Sequence, residues 1–209
     1  MERNEANRIF KILSEMFPDA HCELIYNNLF ELLIATILSA QTTDAKVNKV
    51  TLVLFGKYPD SLSLQDANIS EVEEILKPLG LYKNKAINII KLSKILTNEY
   101  HGIVPNNYDD LTKLPGVGRK TANVVLAEGF NVPRIAVDTH VLRVSNRLGL
   151  SLKHSPVEVE EDLMNLFDES IWIEVHLKLL FFGRYFCKAK NPNCEKCFNK
   201  NRCISKNDK

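Results

Sequence analysis

Two stretches of this chain carry residue types that could do chemistry. The first is Leu114-Pro115-Gly116-Val117-Gly118-Arg119-Lys120-Thr121-Ala122, followed closely by Val137-Asp138-Thr139-His140. Pro115 cannot extend a preceding helix, and Gly116 and Gly118 permit positive φ and close backbone approach. The stretch is therefore read as a tight turn opening a helix, whose N–H groups form a ready site for a phosphate. Lys120 falls in the first helical turn, where the positive end of the helix dipole disfavours an ammonium. A lysine must be neutral to act as a nucleophile, so the placement suits covalent chemistry. An ordinary corner between two helices with a solvated lysine accounts for these residues as well. Asp138 stands where an N-cap is favoured. A carboxylate held that rigidly could also stabilise positive charge developing on a substrate.

The second stretch is Cys187, Cys194, Cys197 and Cys203, in the pattern C-x6-C-x2-C-x5-C. Four thiolates so close in sequence can enclose one metal centre, because little loop entropy is lost in gathering them. Structural zinc usually shows two short knuckles separated by a long gap, and here only Cys194 and Cys197 form a short pair. The spacing leans toward a cubane iron–sulfur cluster, with zinc as the alternative. Lys188 and Lys190 lie inside the first cysteine loop, with Lys196, Lys200 and Arg202 nearby. A metal centre that pinned this loop would present those charges rigidly to phosphate; otherwise they only keep the loop soluble. Cys22 stands apart and is read as a buried or spare thiol.

The elements that must position these residues read as helices throughout. Apolar residues recur at helical spacing from Asn4 to Met16, and Pro18 stops that run. Asn28 to Leu38 is apolar nearly all round, which predicts a buried helix despite Glu31. Ser39 to Thr43 breaks it and supplies a hydroxyl cap for a helix from Asp44 to Phe55. Ser70 with Glu73 reads as a capping box for a short helix ending before Pro78. Leu81 to Tyr100 is a long amphipathic helix. Asp109 to Lys113 leads into the glycine turn and Thr121 to Glu128 leaves it. Asp138 opens a helix reaching Arg147, with Gly149 as its stop. Ser155 to Glu158 is a second capping box, with Pro156 at the first helical position, and opens a helix to about Phe167. Trp172 to Tyr185 is a last helix before the cysteine loop. Val132 to Val137 connects two lobes, and no repeat or convincing strand is visible.

The chain has 209 residues and a formal net charge of +1, so total charge does not announce a nucleic-acid binder. Its distribution says more. Seven acidic residues and no Lys or Arg lie between Ser155 and Glu174, while Gly183 to Lys209 holds eight basic residues against Glu195 and Asp208. That basic end suits phosphate or is a solvated tail. The most apolar run, Leu29 to Leu38, is too short to span a membrane and no secretory segment is visible, which points to a cytoplasmic protein without membrane contact. In that reducing compartment clustered cysteines suggest metal rather than disulfides.

Taken together, the glycine turn, Lys120, Asp138 and the cysteine spacing resemble the endonuclease III family of DNA glycosylases, in the helix-hairpin-helix superfamily. The resemblance runs from the Leu33–Thr43 segment to Cys203. It implies an all-α protein whose two helical lobes flank a DNA-binding cleft. One is a six-helix domain over 22–132, with the helix-hairpin-helix motif at about 108–128. The other joins 1–21 to 133–209 and carries a [4Fe-4S] cluster on Cys187, Cys194, Cys197 and Cys203, in the loop 187–203. It further implies that Gly116 and Gly118 bind a DNA phosphate, that Lys120 is the nucleophile and that Asp138 is the catalytic carboxylate. Gln41 and Leu81 would fill the gap left by a flipped nucleotide, and His140 would lie at the mouth of the active site. The implied activity is base excision on duplex DNA with damaged bases or abasic sites. A monomer would remove oxidised pyrimidines and cut the abasic site by β-elimination, close to the nucleoid in a bacterium. Adenine–mismatch glycosylases of the same superfamily lack a lysine at this position, and a non-catalytic iron–sulfur DNA-binding module would not need the lysine–aspartate pair.

Overall fold

The computed structural model describes residues 1–204, so Lys206 and Lys209 of the basic end lie outside the described residues. All regular elements in that span are helical. The chain divides into two compact units, one formed by Glu23–Phe130 and the other by Met1–Cys22 with the chain from Asn131 on.

In the Glu23–Phe130 unit the first helix is the organiser. We label the helices in chain order, α1 being Arg3–Met16 of the other unit. Here α2 (Leu29–Leu38) is buried over Phe30–Leu38, as its apolar circumference requires. Around it pack α3 (Asp44–Lys57), α6 (Tyr82–Tyr100) and α8 (Arg119–Phe130). The approach of α8 is close. A Cβ on Gly129 would come within 2.7 Å of the Leu29 side chain. Glu31 is buried because its carboxylate accepts from the backbone and side-chain amides of Asn27, at 2.7 and 2.9 Å. Buried polar groups persist when they are so satisfied. Two short helices, α4 (Ser61–Leu64) and α5 (Ile69–Leu76), pack on α6, and α7 (Tyr108–Lys113) packs on α8.

Local capping corrects two boundaries. Helix α5 is capped by Asn68, whose side chain accepts from the Ser70 amide, so Ser70 lies inside the helix and makes no box with Glu73. Asp60 with Ser63 forms the reciprocal box instead, opening α4, which four residues are too few to show as periodicity.

The other unit contains α1, α9 (Thr139–Leu148), α10 (Pro156–Leu166) and α11 (Trp172–Phe181). Its core joins Ile9 and Leu13 of α1 to Val141 and Val144 of α9, Val159 and Leu163 of α10, and Val175 and Leu179 of α11. Pro156 does stand at the start of α10, but the Ser155 side chain makes no capping bond. After Phe181 the last helix loosens into a π-helical turn, Phe182–Phe186, which delivers the chain to Cys187. Gly183 within it lies so close to α9 that a Cβ would meet His140 Cβ at 2.9 Å. The π turn and α9 are therefore in backbone contact, which fixes where the cysteine loop begins. Among the described residues, no helix is long and apolar enough to cross a membrane.

Candidate active site and cysteine loop

The glycine turn lies between α7 and α8, and its two glycines differ. Gly116 has φ +82°, and a Cβ there would meet Asn88 and Ile37 at 3.2–3.3 Å, so the turn itself requires glycine. Gly118 lacks positive φ, contrary to expectation, and a Cβ there would meet nothing within 4 Å. The fold does not need Gly118; its hydrogen leaves open space at the start of α8. Gly118, Arg119 and Lys120 are all exposed. No acidic residue stands in the first turn of α8, so α8 supplies no carboxylate of its own to the positive helix end. Val117 is buried and its amide donates to Leu114 O at 3.1 Å, anchoring the turn from below. Arg119 lies over the Tyr108 ring, 5.9 Å from its centroid.

Asp138 caps α9. One oxygen, Oδ1, accepts from the His140 and Val141 amides, both at 2.8 Å. The other, Oδ2, accepts no hydrogen bond among the described residues. The carboxylate is thus fixed by one oxygen and offers the second. The cap and the candidate catalytic role coexist in one side chain, because a carboxylate has more acceptor sites than a cap uses. His140 is half-buried, and its Nδ1 lies 3.4 Å from the Arg143 guanidinium.

The same helix reaches the cysteines. Arg143 donates to Gly183 O at 2.9 Å and to Cys187 O at 3.1 Å. One turn later Arg147 donates to Lys188 O at 2.9 Å and contacts the Cys187 sulfur at 3.4 Å. Helix α9 therefore carries Asp138 at its start and clamps the first cysteine from its second half. Neither arginine was singled out from the sequence. Their spacing of four residues on one helix face was the available signal, but a basic pair on an amphipathic helix reads as solvated.

The four cysteines are brought together. Burial pushes the Cys197 thiol up, and charge at Cys187, Cys203 and Cys194 pushes in the same direction, against a hydrogen bond from the Asn199 backbone. Cys194 opens a short 3-10 turn and its carbonyl accepts from the Cys197 amide at 3.2 Å, the local fold of a ligand knuckle. Among the described residues no group of three or more His, Cys, Asp or Glu side chains is placed to hold a metal ion. Four cysteine sulfurs gathered on one loop are the kind of donor set that iron–sulfur clusters take. Lys188 and Lys190 are exposed on this loop.

Gln41 and Leu81, the two candidate wedge residues, lie on neighbouring turns of the Glu23–Phe130 unit. A Cβ on Gly80 would stand 3.9 Å from Gln41 O. Both residues are exposed, and both have left-handed backbone, at φ 55° and 58°.

Residues 34–169 match the HhH-GPD superfamily of base excision DNA repair proteins. The chain belongs to that family. Endonuclease III of Bacillus subtilis is 52% identical over 186 residues, covering 88% of this chain and 85% of the relative. Endonuclease III of Rickettsia felis is 45% identical, over 97% of this chain and 95% of its own. Among solved structures, a trapped endonuclease III–DNA covalent intermediate superposes with a TM-score of 0.96 at 48% identity, over 100% of this chain and 98% of that one. A non-covalent endonuclease III–DNA complex matches equally, with the same TM-score and identity. This HhH-GPD protein is a bifunctional enzyme of base excision repair, a DNA glycosylase with abasic-site lyase activity.

Proposed function

We propose that Lys120 is the nucleophile and Asp138 the carboxylate of a glycosylase that removes oxidised pyrimidines from duplex DNA. The observation that carries this is Asp138 itself, rigid through Oδ1 and open at Oδ2. As the base leaves, positive charge builds on the sugar, and a fixed carboxylate stabilises it without reorganising. The neutral Lys120 amine bonds to the sugar C1′, the bond from C1′ to the base breaks, and its electron pair departs with the base. A proton leaves the attacking nitrogen to a general base, the role this reading gives Asp138. The sugar ring opens to a Schiff base, which acidifies the adjacent C2′–H. Loss of that proton expels the 3′ phosphate and nicks the strand.

The damaged base must leave the duplex stack first. In this reading the start of α8, with the space at Gly118, binds a backbone phosphate. Gln41 and Leu81 fill the gap in the stack, as residues of mixed polarity do when they meet stacked faces and an orphaned base, and His140 lines the mouth of the site. Lys188 and Lys190 add phosphate contacts. Cys187, Cys194, Cys197 and Cys203 would hold a [4Fe-4S] cluster, which would brace the loop that presents them. The protein would act as a monomer in the cytoplasm.

The test is borohydride trapping on duplexes bearing single oxidised bases. A covalent adduct with the wild type that vanishes in Lys120→Ala is the expected result. An adduct that persists in the variant places the nucleophile elsewhere. Iron and acid-labile sulfide measured on the purified protein check the cluster independently of activity.

A further inference from the structure

We propose that Lys85 is a positioning residue that locks together the two exposed turns carrying Gln41 and Leu81. The proposal rests on the reading of those residues as the wedge. Among the described residues, five other than glycine have positive φ: Gln41, Leu81, His101, Asn131 and Asn191. Asn and His adopt this region comparatively readily; Gln and Leu do not. Gln41 and Leu81 are thus the two held against their own preference, and such strain persists only where the surroundings over-determine it. Leu81 is also 57% exposed. An apolar side chain held in water on a strained backbone gains nothing for the isolated fold, and suits a surface that meets a base.

One residue touches both turns. Lys85 is only 5% exposed. Its ammonium donates to Leu38 O at 3.0 Å, Ala40 O at 2.8 Å and Thr42 Oγ1 at 3.2 Å. The last two are the residues on either side of Gln41. Its own backbone amide donates to Leu81 O at 3.1 Å, closing the first turn of α6. Lys85 therefore brackets Gln41 with its side chain and holds Leu81 with its main chain. An ammonium has three donors, and all three are used, so none remains for a substrate. Burial pulls its pKa below the ordinary lysine value, while the carbonyls at the end of α2 favour the cation.

Lys178 shows what capping alone looks like. It closes the end of α1 through Phe17 O at 2.7 Å and Pro18 O at 3.0 Å, and no positive-φ residue lies beside those carbonyls. At Lys85, only the bond to Leu38 serves the helix end; the other two lie on the turn beyond it.

The experiment compares Lys85→Met with wild type on an abasic site in paired duplex and on the same site in a single strand, where little stacking opposes extrusion. The duplex single-turnover rate should fall on the order of ten- to a hundredfold, the scale of a small misplacement at a working site. The single-strand rate should hold within about twofold. Proportional loss on both substrates, or no loss on either, overturns the proposal. Thr42→Val, which removes one acceptor and keeps the branched shape, should show the same bias more weakly should Lys85→Met fold poorly. The lock is also read without DNA, from amide exchange at Ala40 and Thr42, whose amides bond within the turn to Ile37 and Ser39. Exchange there should quicken in both variants while the middle of α2 stays protected, and unchanged exchange overturns the lock. A wild type inactive on both DNAs would sink the functional reading while leaving the exchange result to decide Lys85.

Discussion

The starts of α8 and α9 carry the proposed chemistry and are built oppositely. Helix α9 brings its own anion: Asp138 satisfies two of its first amides with one oxygen. Helix α8 brings no acidic residue to its first turn, opens after Gly118 onto empty space and follows with Arg119 and Lys120. A helix N-terminus attracts negative charge in either case. When the protein supplies that charge, the end becomes a rigid mount for a carboxylate. When it withholds it, the end is left for a phosphate from outside. The lesson is that one physical feature serves positioning or binding according to a single residue at its mouth.

The sharpest way to break this comparison is at Lys120. Replacing it with Ala should abolish borohydride trapping altogether while leaving thermal stability unchanged, since the side chain is exposed at the helix start. Binding to a damaged duplex should weaken only modestly, measured by titration at fixed salt, because one cation among several contributes to phosphate attraction. Loss of binding in step with loss of trapping would recast Lys120 as a phosphate contact belonging to the α8 site.

Asp138 tests the other half. Asn caps a helix about as well as Asp, so Asp138→Asn should keep the fold and lose the charge. Single-turnover base release should then fall on the order of 10²–10⁴-fold, the range for a positioned acid–base group, at an almost unchanged melting temperature. Asp138→Ala loses the cap as well and should be less stable than Asp138→Asn by about 1 kcal/mol in chemical denaturation. Equal stability of the two variants would mean that the two amide bonds contribute little.

The sequence made the elements legible wherever apolar spacing is regular, as in α2 and α6, and made the site legible wherever residues act through local spacing. Asp138 as cap, Pro156 at a helix start and the four cysteines are of that kind. What escaped depends on residues far apart. Lys85 reads as an ordinary solvated lysine on an amphipathic helix, because its partners stand 43–47 positions away. Arg143 and Arg147 act on a loop 40–44 positions away. Competition between adjacent capping residues hid the start of α5, where Asn68 rather than Ser70 accepts the amide. Gly118 shows the converse. The sequence suggests a conformational need, and the backbone has none.

That last point yields the finest test of the comparison. Gly116→Ala must place a Cβ at φ +82° and within 3.2 Å of Asn88, so it should destabilise by roughly 1–3 kcal/mol through backbone strain and lose DNA binding as the turn deforms. Gly118→Ala meets neither obstacle and should melt with the wild type. Its methyl group would occupy the space a phosphate oxygen needs near the first amides of α8, so affinity for undamaged duplex should fall by about the value of one hydrogen bond to a charged group, ~1.5–3 kcal/mol. The decisive quantity is the salt dependence. If Gly118 only leaves room for a phosphate, the slope of log affinity against log salt should fall by about one counterion in the variant. An unchanged slope and affinity would mean that the open mouth of α8 binds nothing, and the contrast with α9 would reduce to a difference in capping.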